Sequence, residues 1–227
     1  MIMEKKMNRR EFLKVSAATG AILSMAPSIT LAEEPKPIQL LTPQPGSGSP
    51  LMQLLWKRKS SREFSPKPLP VEVLSNLLWA GFGINRPDGK RTAPSAMNRQ
   101  DVDIYVILSD GLYLYDPKAN QLKLILAEDL RGLAGTQPYV KEAPVNLIYV
   151  SDYAKMGDKT PDEMKILLSG SHAGFISENV YLYCASEGLA TVVRALIDIP
   201  ALSKAMKLRP DQKIILAQSV GYPKKTS

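Results

Sequence analysis

The chain has 227 residues, a formal net charge of +7 and 44% hydrophobic residues, enough for one domain with a substantial core. It contains one cysteine and one histidine. These counts exclude an intramolecular disulfide. They also leave Cys/His zinc sites and Ser-His or Cys-His triads with almost no residues from which they could be built.

Residues 1–32 have the features of a cleavable export signal. The segment from Asn8 to Lys14 resembles the twin-arginine signal, and only Asn8 departs from that pattern. A weakly apolar run follows and ends in Thr30-Leu31-Ala32, a small-x-small cleavage site. The run is too polar and too interrupted for a membrane span, and a soluble amphipathic helix is the alternative. We therefore expect export of the folded protein to the periplasm.

The predicted signal carries three of the seven net positive charges, so a mature chain would keep a net charge of +4. A charge of this size contributes to solubility and does not indicate nucleic acid as a partner. Residues 33–49 are rich in Pro, Gly and Ser and predict a flexible linker. Residues 50–227 then form the folded domain.

The domain begins with two predicted helices. Ser49-Pro50 has the form of an N-cap followed by proline at the first helical position. Apolar residues with helical spacing then place Arg58 at the C-terminal end of a short helix. A second helix opens at Leu69-Pro70 and stops at Gly81-Phe82-Gly83.

The middle of the domain has the pattern of an antiparallel sheet. Three β-prone runs between residues 102 and 125 are separated by turns at Asp110-Gly111 and Asp116-Pro117. Such a meander argues against a parallel crossover unit. Two further runs, 144–150 and 213–220, are largely apolar and predict central strands.

The longest predicted helix starts at Thr160-Pro161-Asp162-Glu163, which has the form of a capping box. It is expected to end at Glu187, with Gly188 just beyond, and to be about 40 Å long. Small residues from Ser169 to Gly174 lie in its middle. They suit a helix packed against its own symmetry mate, and simple core packing explains them as well. Cys184 is expected to be a small core residue.

Two segments carry candidate chemistry. Residues 58–64 bring together three cations and two hydroxyls just after a helix, and guanidinium groups favour bidentate contacts with phosphate. A solvated basic turn is the alternative for this segment. The second segment, Pro94 to Asn98, offers small residues and hydrogen-bonding groups where a planar ring could approach the backbone. An ordinary polar loop is the alternative there.

Four segments in chain order resemble the motifs of the nitroreductase family. They are residues 58–64, residues 94–98, the helix end and following residues from Asn179 to Asp198, and Val220 to Lys225 after the last strand. Ala190 replaces a usual glycine in the third. The resemblance covers most of residues 50–225. It implies an α+β homodimer with a central, mainly antiparallel sheet flanked by helices, a long buried helix, and flavin mononucleotide (FMN) at the interface.

The resemblance also implies roles for residues in the first two motifs. Arg58, Lys59 and Ser60 would hold the phosphate and ribityl chain, and Arg62 would lie near the N1/O2 edge of the ring. The partner subunit would supply the second motif, with contacts from Pro94, Ser95 and Ala96 and support of the loop from Asn98.

In the third motif, the stretch from Val193 to Leu196 would present backbone N–H groups to the N5/O4 side of the ring, through Arg194 and Ala195. This chain has Ala195-Leu196 where many relatives have Glu-Gly. Only the backbone of this stretch, and not a side chain, is therefore expected to contact the ring. Lys224 or Lys225 could add a cation for the phosphate. No catalytic side chain and no metal is implied, because the flavin carries the chemistry.

The implied activity is that of an FMN-dependent oxidoreductase, which passes hydride through flavin N5 to a small organic acceptor such as a nitroaromatic or a quinone. Three alternatives stay open at this point. They are the branch of the superfamily that oxidises azoline rings in peptides, a non-catalytic flavin-binding protein, and a structural domain associated with export.

Overall fold

An antiparallel sheet of seven strands is the framework of the domain in the computed structural model, which describes residues 37–43 and 49–224. The strands are β1 Ile38–Gln39, β2 Val102–Leu108, β3 Gly111–Asp116, β4 Gln121–Leu126, β5 Val145–Asp152, β6 Ala190–Arg194 and β7 Gln212–Gly221. The helices are α1 Leu51–Lys57, α2 Val71–Phe82, α3 Tyr139–Glu142, α4 Asp162–Glu187 and α5 Ile199–Ala205.

The strand order is β1-β4-β3-β2-β5-β7-β6, and every pairing is antiparallel. The predicted meander is confirmed as β2, β3 and β4. The two apolar runs are confirmed as central strands, since β5 lies between β2 and β7, and β7 lies between β5 and β6. The α+β fold class is therefore confirmed.

The sheet is buried on both faces. In β2, Ile104 and Val106 point into a core formed with α2 and α4, whereas Tyr105 and Ile107 point into a core formed with α3 and α5. Successive side chains of a strand alternate between faces, so a strand covered on both sides must be apolar throughout. This arrangement places α4 across one face, next to the end of β6.

The observed ends of the two main helices can be compared with the predicted start and stop residues. The second helix was expected to stop at Gly83, and that residue is its C-cap. The long helix ends at Glu187 as expected, and Gly188 just beyond it is the C-cap, in the left-handed region at φ 67°. Its predicted capping box is wrong, because Pro161 is the N-cap and no side chain caps it. The Thr160 hydroxyl instead donates to the carbonyl of Met156.

The predicted linker and the predicted cap at Ser49 also need correction. Part of the linker is ordered, since β1 pairs with β4 and Leu40 is buried in the core. Its composition predicts a tether, but pairing with a sheet edge and one buried leucine outweigh that tendency. The N-cap of α1 is Pro50 rather than Ser49. The predicted signal and the remainder of the linker lie outside the described residues.

Strand β6 and helices α3 and α5 have no counterpart among the predicted elements. Each is seven residues long or shorter, so none shows a sustained hydrophobic period. Among the described residues, no helix is long and apolar enough to cross a membrane.

Candidate functional site

The predicted phosphate loop begins where α1 ends. Arg58 is the C-cap of α1, and its N–H donates to the carbonyl of Leu54. Its guanidinium lies 5.3 Å from the centre of the Tyr181 ring on α4. A cation over an aromatic face is attracted by the ring quadrupole. The start of the loop is thus held against α4.

The Tyr181 hydroxyl joins this loop to β6. It accepts a hydrogen bond from the N–H of Val193 at 2.9 Å and lies 2.9 Å from the hydroxyl of Ser60. Because the N–H can only donate, the phenol proton is free to be donated to Ser60. The Ser61 N–H also donates to the carbonyl of Thr191 at 2.9 Å. The loop therefore runs along the outer edge of β6.

The closing segment of the domain lies beside the same loop. Phe64 and Pro223 form an isolated antiparallel bridge, and the Ser65 N–H donates to the carbonyl of Tyr222 at 2.8 Å. The N–H of Lys224 reaches the carbonyl of Glu63 at 3.3 Å. The structure thus brings the first, third and fourth motifs together, with the exposed Lys224 side chain next to the cationic loop.

A cavity of about 500 Å³ lies between these segments. Lys57, Lys59 and Ser61 line it on the loop side, and Tyr181 and Thr191 line it on the side of α4 and β6. The part of the chain that the structure describes contributes no acidic side chain to this lining. A pocket with cations, hydroxyls and an aromatic wall matches the chemistry of a phosphate ester with a flat ring. Of the predicted loop residues, Lys59 lines the cavity, whereas Arg58, Ser60 and Arg62 do not belong to its lining; Ser61 is the loop serine that faces it.

A buried network of polar side chains on β5 and β7 holds β6 on its inner side. The Gln218 side chain on β7 pairs with the Tyr149 hydroxyl at 2.6 Å and donates to the Thr191 hydroxyl at 3.0 Å. The Ser219 hydroxyl, also on β7, donates to Asn146 on β5 at 2.7 Å. Buried groups without partners are costly, so satisfied networks of this kind specify one register of β6 against β7.

The Arg194 side chain points into the protein and not into the cavity. It is 7% exposed, and its Nη2 donates to Asn146 at 2.9 Å. Within the described residues its Nε and Nη1 have no hydrogen-bond partner, and burial lowers the pKa of this guanidinium to about 10. Ala195 and Leu196 are exposed just beyond β6. The Val193 N–H is already bound by Tyr181, which removes it from the donors predicted for the ring.

The second motif lies on a separate loop. Pro94, Ser95 and Asn98 line another cavity, of about 260 Å³, together with residues of the 86–93 segment. The base of the loop is closed by Arg91, whose Nε donates to Gln100 at 2.8 Å. The Asn98 side chain accepts a hydrogen bond from the Gln100 side chain at 3.0 Å. Within one copy of the chain, the first and second motifs do not share a cavity.

The only histidine has a role that the sequence did not show. The N–H of Ala96 donates to His172 Nε2 at 2.8 Å, and His172 Nδ1 lies 2.6 Å from Asp101. Asp101 and His172 are 71 positions apart, and no local motif links them. Tyr181 was within a recognised motif but was assigned no role. Among the described residues, no cluster of His, Cys, Asp or Glu could hold a metal ion.

Comparison with known proteins agrees with this arrangement. Residues 55–222 match the family model described as Nitroreductase family. The chain belongs to the nitroreductase family. It is 32% identical over 152 residues to a nitroreductase-family protein of Methanocaldococcus jannaschii, a match that covers 63% of this chain and 76% of the relative.

Solved structures agree at the level of the fold. A nitroreductase-family protein from Ralstonia eutropha JMP134 is 42% identical, with a TM-score of 0.80 over 86% of this chain and 93% of that one. A second, from Desulfovibrio desulfuricans and solved in complex with FMN, is 22% identical, with a TM-score of 0.57 over 80% and 91% of the two chains. The chain is a nitroreductase-like oxidoreductase.

Replacing Tyr181 with phenylalanine should loosen the loop from β6. The ring under Arg58 is kept and only the hydroxyl is lost, so we expect the free energy of unfolding to fall by about 1–2 kcal/mol. Trypsin should also cut faster after Arg58, Lys59 and Arg62. Urea unfolding and timed proteolysis measure the two effects. Tyr183→Phe, which removes another hydroxyl of α4, one that is bonded to the Val73 carbonyl on α2, should leave the cleavage rate unchanged. Equal rates in all three proteins would contradict the role of the Tyr181 hydroxyl.

Proposed function

We propose that the protein is an FMN-dependent oxidoreductase that reduces a small organic acceptor such as a nitroaromatic or a quinone. The observation that carries this proposal is the cationic cavity between the 58–62 loop and β6, which has no acidic side chain in its described lining. Its residues fit FMN, and FMN when bound would supply reversible hydride chemistry at N5. The complex of the Desulfovibrio relative with FMN is in keeping with this proposal.

The residues divide the proposed site into two ends. Arg58, Lys59 and Ser60, with Ser61 beside them, would hold the phosphate and ribityl chain. Arg62 is exposed at the far end of the loop and would stabilise negative charge at the N1/O2 edge, because a fixed cation favours the anionic form of a bound group.

At the other end, the exposed backbone of Ala195 follows β6 and would face the N5/O4 side. Arg194 would contribute there through its backbone only, since its side chain turns inward. Lys224 lies beside the cationic loop and would add positive charge at the phosphate end.

The site would be shared between two copies of the chain. Tyr181 holds the first motif and His172 holds the second. These residues are nine positions apart on α4, which is about 14 Å along the helix and roughly half a turn around it. The two motifs therefore lie on opposite flanks of α4. A second copy that supplied its own 94–98 loop would complete the site.

Exposed apolar side chains support the same assembly. Trp56 on α1 is 87% exposed, and Ile166 and Leu167 on α4 are 65% and 61% exposed. Near them, Gly170 and Gly174 have open space where a side chain would stand, so another helix could approach closely. Apolar side chains concentrated on two neighbouring helices are typical of a surface that is covered by a partner.

We expect the purified protein to bind one FMN per chain and to elute as two chains. Flavin absorbance and light scattering in one chromatography run measure both quantities. Riboflavin, which lacks the phosphate, is the matched ligand and should bind about tenfold more weakly if the cationic loop holds the phosphate. Colourless protein that fails to take up added FMN would overturn the cofactor, and a monomer would overturn the shared site.

Anaerobic reduction followed by reoxidation with nitroaromatics or quinones then tests the acceptor class.

Replacing Arg62 with alanine should weaken FMN binding and lower the reduction potential of the bound flavin by about 30 mV, which is about 1.4 kcal/mol for a two-electron couple. The reason is the loss of a cation beside charge that develops on reduction. A redox titration of both proteins measures the shift. Lys118→Ala removes one exposed positive charge at the β3–β4 turn and should leave the potential unchanged. An Arg62→Ala protein with the wild-type potential would refute this role.

We also propose that the chain is exported folded to the periplasm by the twin-arginine route. The support is the sequence from Asn8 to Lys14 and the cleavage pattern that ends at Ala32. Replacing Arg9 and Arg10 together with lysine should abolish export while charge is kept, and cell fractionation measures this. Replacing Lys5 and Lys6 with arginine is the matched control and should have no effect. Export of the first variant at the wild-type level would refute the route.

A further inference from the structure

The loop that carries the second motif has an unusual backbone. Its tip is a 3₁₀ turn at Ala96–Asn98, in which Met97 and Asn98 have φ values of 53° and 55°, and Gln100 follows with φ 47°. Residues other than glycine rarely adopt positive φ, and such strain persists only where the surroundings impose it. The tip is also open to solvent, since Met97 is 85% exposed. Packing of the Met97 side chain therefore does not account for this backbone.

A chain of buried hydrogen bonds reaches the loop from below. The Ala96 N–H donates to His172 Nε2 at 2.8 Å. Because that nitrogen accepts, the ring proton is on Nδ1, which donates to Asp101 Oδ1 at 2.6 Å. Asp101 Oδ2 accepts from the Ser151 hydroxyl at 2.8 Å. His172 is 2% exposed, and Asp101 and Ser151 are fully buried. Each member thereby fixes the orientation of the next.

This arrangement is costly for a structure that needed only a filled core. Burying a carboxylate and an imidazole requires full hydrogen bonding, and an apolar pair of similar volume is often as stable or more so. This series of hydrogen bonds ends at the backbone N–H of Ala96, on an exposed loop. The buried groups thus tie Ala96 to the core, in addition to the hydrogen bonds that Ser95 and Gln100 make within the loop.

We propose that His172, oriented by Asp101, is a positioning residue that sets the 94–98 loop in the conformation required for contact with the cofactor. This inference rests on the proposed function, in which Pro94, Ser95 and Ala96 meet the flavin held by a second copy. His172 itself touches no cofactor. It acts through the Ala96 N–H, in the way that outer-shell hydrogen bonds orient the residues that contact a bound group.

Two substitutions at His172 separate the hydrogen bond from the packing. His172→Leu fills a similar volume without an acceptor. His172→Gln can place an amide oxygen near the position of Nε2. We expect the leucine variant to raise the FMN dissociation constant about tenfold and the exchange rate of the Ala96 amide by at least as much, and the glutamine variant to change each by no more than about threefold. Flavin fluorescence titration and amide hydrogen exchange measure the two quantities.

Ala96→Pro provides a second route that leaves the buried groups in place. It removes only the donor, and the site can accept proline because Ser95 before it is extended and position 96 opens the 3₁₀ turn. We expect this variant to weaken FMN binding about as much as His172→Leu. Ser177→Ala is the control for a lost buried hydroxyl on α4, since that hydroxyl bonds only within the helix. It should bind FMN like the wild type.

The outcomes are distinct. Wild-type affinity for FMN in both His172→Leu and Ala96→Pro would overturn the inference and leave the proposed function standing. Should His172→Leu fail to fold, Ala96→Pro decides alone. A wild-type protein that binds no FMN would overturn the proposed function, and the cofactor role of His172 would be overturned with it. Rescue by His172→Gln, together with loss in the other two variants, would establish His172 as a positioning residue.

Discussion

The packing of α4 against the sheet sets the position of both loops that carry candidate chemistry. Its core stripe includes Ala173, Ile176 and Val180, all fully buried, so rotation of the helix would expose apolar side chains to water. His172 and Tyr181 lie on the two flanks of that stripe. Each uses a polar atom to hold one loop, and the distance between the loops is therefore as fixed as the helix itself.

Hydrogen bonds on both sides of β6 fix the position and register of this strand. An edge strand has unpaired backbone groups on its outer side, and here the 58–62 loop and the Tyr181 hydroxyl occupy that side. On the inner side, Gln218 and Ser219 bind partners on β5 and β6. A slip of one residue would place these side chains on the wrong face. The structure thus uses buried hydrogen bonds where the site needs a defined register, and apolar packing elsewhere.

Much of the fold could be predicted from the sequence, because the elements concerned depend on residues close together in the chain. The meander follows from turn residues between β-prone runs, and the length of α4 follows from Gly188 and the absence of proline between Asp162 and Glu187. The parts that were missed depend on distant partners. Strand β1 exists because Leu40 reaches the core, and the capping box fails because Thr160 bonds to the preceding turn. The contact between Asp101 and His172 spans 71 positions, and no sequence pattern around a single histidine in a long helix predicts such a partner.

The state of the only cysteine limits where the protein itself can hold electrons. Cys184 is fully buried in the wall of the cavity, and burial raises the pKa of its thiol. The thiolate is the form that attacks peroxides and disulfides, so this sulfur is unreactive. Storage of two electrons in a disulfide also requires a second cysteine, and the sequence has none. If FMN occupies the cavity as proposed, no pair of thiols in this sequence would compete with it for electrons.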